Sequence, residues 1–381
     1  MMVAATVVER LHGTDFAFRW FYHHPLFIAL WALAAISGLV YLVQTGVWKR
    51  VFTMGLHIGL VVILVGALVT YLTGKSGRIH LREGEESTSF VQENGTSLAL
   101  PFGVRLESFT IDYYPGLQRP SDYRSAVTFL PEGPSVEISM NHIAKFRGYR
   151  FYQTDYDPDG KGSILSVSHD PWGVGITYTG YLLLLLSMIG FFFQKGTSFR
   201  AFSAQVRIPR GLKVALYVIG ALLLLGCFWL ICRNWIFKPL VPVLRSPLLW
   251  IHVGSMIICY TIFALLAVNG IIGLVSSQET RIRLQNLGFT VLYPAVFLLT
   301  FGTFLGAVWA NISWGGYWAW DPKETWALVT MLVYSLALHG SALEVFRNPR
   351  FFHWFTIIAF LCVLITYFGV NLLLGGMHSY A

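Results

Sequence analysis

Charge is what this sequence has least of. Only 12% of its 381 residues are Asp, Glu, Lys or Arg, about half of the roughly 25% typical of soluble domains. That shortage argues against a water-soluble globule. Cysteine is scarce as well. Cys227, Cys232, Cys259 and Cys362 each lie in or beside an apolar stretch, and none belongs to a CxxC pair. A disulfide framework and an obvious thiol relay are thereby excluded. A secretory leader is not expected either. Arg10 and Arg19 precede the first apolar run, but that run is too long for a leader core and continues straight into a second. The formal charge of +8 comes without a basic, aromatic-interleaved soluble module, so no nucleic-acid partner is expected.

What is abundant is apolar surface, at 55% of residues. Eight stretches reach the length, about 17–25 residues, that crosses a bilayer as a helix. They lie near 25–46, 52–73, 174–194, 212–231, 249–274, 288–308, 325–343 and 353–374. The expected fold is a polytopic α-helical membrane protein with about eight transmembrane helices and one small β-rich extracytoplasmic domain, its apolar faces against membrane lipid. The loop 195–213 holds Lys195, Arg200, Arg207, Arg210 and Lys213 with no acid, which assigns it to the cytoplasm. Alternation then puts 47–51, 275–287 and 344–352 inside, and 1–24, 74–173, 232–248, 309–324 and 375–381 outside. Four parts follow: two helices in 1–73, the β-rich domain in 74–173, a helix and basic loop in 174–210, and five helices in 211–381. In the outer domain the alternating runs SVEISM and SILSVS read as strands.

Topology also sorts the eleven histidines. His57 lies six residues past Val51, roughly 9 Å into the membrane at 1.5 Å per residue. His339 lies fourteen residues past Thr325, on a span running inward, roughly 21 Å from the outer end of a core about 30 Å thick. Both fall at one depth in the inner half of the bilayer. His252 stands at the outer mouth of the fifth span, and His378 just beyond the outer end of the eighth. Ionisable residues within a membrane are functional suspects, and neutral imidazole is a good axial ligand for heme iron. His353, beside Arg350 and Trp354, reads as an interfacial packing residue. The alternative for each of the four, taken singly, is a hydrogen-bonded packing role.

The most unusual stretch is AVWANISWGGYWAWDPKETWALV. Trp309, Trp314, Tyr317, Trp318, Trp320 and Trp326 crowd into eighteen residues, 309–326. An interfacial belt needs only one or two aromatics per helix end. Six, with Gly315 and Gly316 permitting close approach, suit a platform for a planar apolar ligand such as a porphyrin. Asp321, Pro322 and Glu324 read as a helix start with a capping box, so neither acid is assigned as a catalytic base.

At these residues the chain resembles the system II cytochrome c synthases of the fused CcsB–CcsA type. WGGYWAWDPKETWAL resembles their tryptophan-rich WWD signature. SPLLWIHV and GGMHSY resemble the segments carrying the two outer histidines, here His252 and His378, and SLALHG resembles the helix with one membrane histidine, His339. FTMGLHIGLVVILVGALVT, IHLREGEE and FRGYRFYQTDYDPDGKGSILSVSHDPWGVGITYTGY resemble the CcsB, or ResB-like, half, with the other membrane histidine at His57. The resemblance runs from about residue 25 to the end. It departs from the family in length and in the expected absence of the usual first helix.

The resemblance implies that heme b enters at His57 and His339 and passes to the WWD platform, which includes Asp321. There His252 and His378 would hold it. An apocytochrome c CxxCH segment would meet it there, its thiols adding to the vinyl groups as a holocytochrome c synthase of the heme lyase type requires. Bis-histidine ligation would keep the iron ferrous, and a thiol-reducing protein is a further expected partner. The expected site is the bacterial inner membrane, with the active face periplasmic. Two alternatives stay open: a heme exporter or chaperone needing a separate attachment partner, and a bis-histidine membrane cytochrome b.

Overall fold

The computed structural model describes residues 1–206, 240–340 and 343–374, with six scattered positions between 218 and 233. Most of the predicted span 212–231, with Cys227 and Cys232, lies outside the described residues, as does His378. The helices follow the apolar runs. We label them α1 (Met2–His12), α2 (Pro25–Gln44), α3 (Val51–Thr73), α4 (Gly173–Phe193), α5 (Pro247–Val275), α6 (Gln278–Trp314), α7 (Pro322–Leu338) and α8 (Pro349–Leu364), which continues in wider π-helical turns over Ile365–Leu374. Among the described residues, six helices are long and apolar enough to cross a membrane. Those are α2 to α6 and α8. The seventh, α7, has 17 residues, at the lower limit of about 17 for a span.

The α6 helix begins ten residues before the predicted start at 288, so the expected inner loop 275–287 is almost entirely helical. The reason is Arg281, read from the sequence as a loop charge. It is buried, and its guanidinium donates to the carbonyls of Gly273, Leu274 and Ser276 at 2.9–3.2 Å. Those are carbonyls that the end of α5 leaves without intrahelical partners. His353, fully buried, has Nε2 3.1 Å from the Arg281 carbonyl and its ring against Gly273. It is a packing residue.

Between α3 and α4 the chain forms one eight-stranded antiparallel sheet, with β1 (Lys75–Arg82), β2 (Glu86–Val91), β3 (Ser97–Tyr113), β4 (Pro120–Leu130), β5 (Ser135–Ser139), β6 (Ala144–Phe146), β7 (Tyr149–Tyr156) and β8 (Gly162–His169) in the order β5-β4-β3-β2-β1-β8-β7-β6. Both SVEIS (β5, Ser135–Ser139) and SILSVS (in β8, Gly162–His169) are strands. Alternation places Val127 and Phe129 of β4 (Pro120–Leu130) inward, with Ile79, Leu81, Phe90, Val104, Leu106 and Leu165 in the same core. The sheet curls until β4 meets β7 (Tyr149–Tyr156) and β8 across that core. There the buried Ser125 hydroxyl lies 2.6 Å from Gln153 Oε1 and 2.7 Å from Ser163 Oγ, a satisfied polar centre.

The domain is fixed to the membrane part at its two exits. Asp170 accepts the Gly173 and Val174 amides, covering two of the free N–H groups at the start of α4, and its carboxylate takes the Thr70 hydroxyl of α3 at 2.6 Å. Below that clamp α3 and α4 lie in close contact along glycines, the packing expected where lipid supplies no hydrophobic drive. At Gly66 a Cβ would stand 2.6 Å from the Thr177 amide nitrogen. Gly66→Ala should therefore destabilise the helix pair by about 1–3 kcal/mol. Gly38→Ala, where nothing lies within 4 Å, should leave stability unchanged. Thermal unfolding of the two variants in detergent checks this, and equal melting would refute the close-packed seam.

Candidate functional site: a histidine pair and a tryptophan-rich segment

His57 sits in the second turn of α3, and His339 follows the last residue of α7. Although 282 positions separate them in sequence, their ring centroids are 6.0 Å apart at 81°. Each ring is held in the same way. His57 Nδ1 lies 2.8 Å from the Thr53 carbonyl, and His339 Nδ1 lies 2.8 Å from the Ser335 carbonyl, both four residues upstream. A carbonyl oxygen only accepts, so Nδ1 carries a proton, and in the neutral ring Nε2 keeps the lone pair. This is the arrangement that orients a metal-binding imidazole. Two imidazole–metal bonds of about 2 Å each, plus the half-widths of two rings, need centroids about 6 Å apart. The observed centroid separation matches that value. A cleft of about 150 Å³ adjoins the two rings, lined also by Arg50, Thr53, Tyr41 and Tyr293 and, among the described residues, by no acid. One wall is the end of α2, a helix that buries only Phe27 and Leu42.

His252 lies in the second turn of α5. Its Nδ1 is 2.7 Å from the Gly302 carbonyl of α6, so it too carries its proton there. The ring is seated against Gly306, where a Cβ would lie 2.7 Å from Nδ1. Its expected partner, His378, is outside the described residues.

The tryptophan-rich segment is half helix and half loop. Trp309 is buried in α6, and Trp314 is the last residue of that helix, with the two rings 4.8 Å apart. Gly315 ends the helix at φ +88°, a left-handed conformation glycine adopts without strain. The Tyr317 hydroxyl donates to Thr70 Oγ1 at 2.9 Å, and Trp318 packs on Trp320 at 5.7 Å. Trp320 has φ +53°, rare for a bulky residue. Asp321 accepts the Lys323 amide as the cap of α7, with Pro322 in the first turn. Glu324 reaches back further than the predicted capping box, to the Ala319 amide at 2.8 Å.

Residues 1–24, expected only as an outer segment, are part of this assembly. Tyr22 stacks on Trp320 at 4.9 Å and 14°, and Phe27 meets the same indole edge-on. The Trp326 indole donates to Thr6 Oγ1 at 3.1 Å, fully buried. The signal that could have found this is the aromatic density of FAFRWFY (residues 16–22), which exceeds the needs of a solvated tail. On β7, Tyr152 lies against Gly315, 2.8 Å from a Cβ built there, and Arg150 Nη1 donates to Asn311 Oδ1 at 3.4 Å. Neither stands out in the sequence.

This is a multi-pass membrane protein with a β-sheet domain seated on its tryptophan-rich end. Residues 176–378 match the family model described as Cytochrome C assembly protein, and residues 37–166 match the ResB-like family. The chain belongs to the cytochrome c assembly protein family. The two matches in this order on one chain are consistent with a fused CcsB–CcsA system II synthase. His57 falls in the ResB-like part, and His252 and His339 in the assembly part.

Among similar proteins is Protein NrfI of Wolinella succinogenes, 40% identical over 152 residues, covering 37% of this chain and 17% of that protein. Cytochrome c biogenesis protein CcsA of Chlamydomonas reinhardtii is 39% identical over 153 residues, covering 38% and 43%. CcsA of Guillardia theta is 35% identical over 175 residues, covering 37% and 56%. The matched part thus spans from 17% to 56% of these relatives' lengths.

Burial raises the carboxyl pKa of Glu9 on α1, and the nearby Asp321 charge raises it further, against a lowering hydrogen bond from Thr14. A carboxyl raised on folding binds its proton more tightly in the docked state. Docking of α1 is therefore strongest below the ordinary carboxylate pKa and weakens as pH rises through the raised value. Glu9→Gln should flatten that dependence. Hydrogen exchange of the α1 amides against pH checks it, and an identical profile in the variant would count against this origin.

Proposed function

We propose that the chain carries heme b from the cytoplasmic side of a bacterial inner membrane to its periplasmic face and attaches it to the CxxCH motif of apocytochrome c. The observation that carries this reading is the His57–His339 pair, one imidazole from each of the two matched families, with Nδ1 tied down and ring spacing suited to one iron. The names of its relatives, cytochrome c biogenesis proteins, agree with it.

In this reading heme is cargo. His57 and His339 bind its iron at the inner level, and His252 with His378 bind it at the outer level. Trp309, Trp314, Tyr317, Trp318, Trp320, Asp321 and Trp326 build the platform, some by touching the macrocycle and others by shaping the segment. Attachment adds each CxxCH thiol across a vinyl group: sulfur bonds to one vinyl carbon and the thiol proton ends on the other, with no net oxidation. The reactive groups belong to heme and apocytochrome. The protein's part is to hold them in register and exclude water, which suits a site without an assigned acid or base. A thiol-reducing protein keeps the CxxCH pair reduced.

The test is co-expression with a CxxCH reporter in a host lacking its own attachment machinery. Thioether-bound heme on the reporter is expected, and it should be abolished by His252→Ala or His378→Ala. Wild-type maturation in both variants would refute the outer-site roles. Heme bound stably to this chain without transfer to the reporter would instead favour a membrane cytochrome b or a chaperone that needs a partner.

A further inference from the structure

The β domain presents buried donors to the tryptophan-rich segment that nothing in the described protein satisfies. Arg150 of β7 makes one long bond, Nη1 to Asn311 Oδ1 at 3.4 Å, near the limit of a hydrogen bond. Its Nη2 is buried and has no partner among the described residues. The Tyr152 hydroxyl beside it is buried with the Arg150 guanidinium as its polar neighbour, and its own proton finds no acceptor among the described residues. The indole nitrogens of Trp309 and Trp318 in the adjoining segment are likewise buried and without an acceptor there. A buried donor left without an acceptor is destabilising, and more so when it is charged. Asn311 is no accident of packing. Its Nδ2 donates to the Tyr178 hydroxyl at 2.7 Å, which turns Oδ1 towards the guanidinium. No carboxylate of the described residues pairs with Arg150.

We propose that Arg150, carried by the ResB-like domain, receives a carboxylate of the planar ligand held at the tryptophan-rich segment, with the Tyr152 hydroxyl as a second donor. The chemistry is specific. A guanidinium fork matches a carboxylate with two parallel hydrogen bonds, and all four orphaned groups donate. The ligand class is a porphyrin with propionate side chains, so this inference rests on the function proposed above and adds a subsite to it. It also gives the sheet domain a direct role, since it supplies the anion-binding half of a site whose aromatic half comes from α6 and the loop before α7. A lipid phosphate has related chemistry, and the test separates the two.

The experiment uses the full chain in detergent with His57→Ala and His339→Ala, so that the outer site alone is titrated by absorbance. The probes are hemin and its dimethyl ester, which lacks the carboxylates. Hemin should bind at least about tenfold more tightly than the ester, the ratio expected of one charged hydrogen-bonding group. Arg150→Gln should remove that preference while leaving ester binding within about twofold, and Arg150→Lys should restore part of it. Equal binding of the two probes before the Arg150 substitution overturns the proposal. So does an equal loss of both in Arg150→Gln, which would make Arg150 structural. Phosphatidylglycerol retained through Arg150 without any preference for hemin would assign the site to lipid and overturn it too. Binding of neither probe in this background, when the unsubstituted chain binds hemin, would remove the outer site itself.

Discussion

The architecture depends on a small constraint, an imidazole Nδ1–H held by a backbone carbonyl. His57 and His339 each donate to the carbonyl four residues upstream, and His252 donates to a carbonyl on the neighbouring helix. Within a helix most carbonyls are already committed to the backbone ladder, so a second bond fixes the ring's direction at little cost. In the neutral ring the lone pair is left on Nε2, away from the ring's own backbone. Three histidines in three different parts of the helical bundle thereby share one ring orientation device. For the first two, the device succeeds only if α3 and α7 are brought together, and the family matches assign those helices to different parts of the chain.

Much of the remaining structure serves that approach. The glycine contacts of α3 with α4, and the Asp170 clamp at their outer ends, fix α3 as a rigid post. Arg281 closes the end of α5 and lets α6 begin early. At the outer end the sheet domain and the amino-terminal segment converge on the tryptophan-rich loop from two sides, through Tyr152 on Gly315 and Tyr22 on Trp320. The left-handed backbone at Trp320 persists because aromatic neighbours hold the indole from both face and edge.

Hydropathy made most of the helices legible, because span length is set by bilayer thickness and little else. Depth arithmetic brought His57 and His339 to one level, because helical rise is fixed at about 1.5 Å per residue, and the 6.0 Å ring separation agrees with it. What was not legible needed knowledge of partners. Arg281 carries the same charge as a loop arginine, and only burial against free carbonyls identifies it as a helix cap. Thr6 and Tyr22 look like tail residues until Trp326 and Trp320 are found opposite them. Arg150 and Tyr152 alternate along an ordinary strand, and their role depends on which loop the sheet faces. Local pattern encodes an element, while the contacts between elements come from the tertiary fold.

The central claim, that one iron is shared by His57 and His339, is tested most directly by electron paramagnetic resonance of the purified chain loaded with ferric heme, with His252 and His378 replaced by alanine. A low-spin bis-imidazole signal is expected, and it should turn high-spin when either His57 or His339 is substituted singly. A low-spin signal that survives both substitutions would contradict the shared iron.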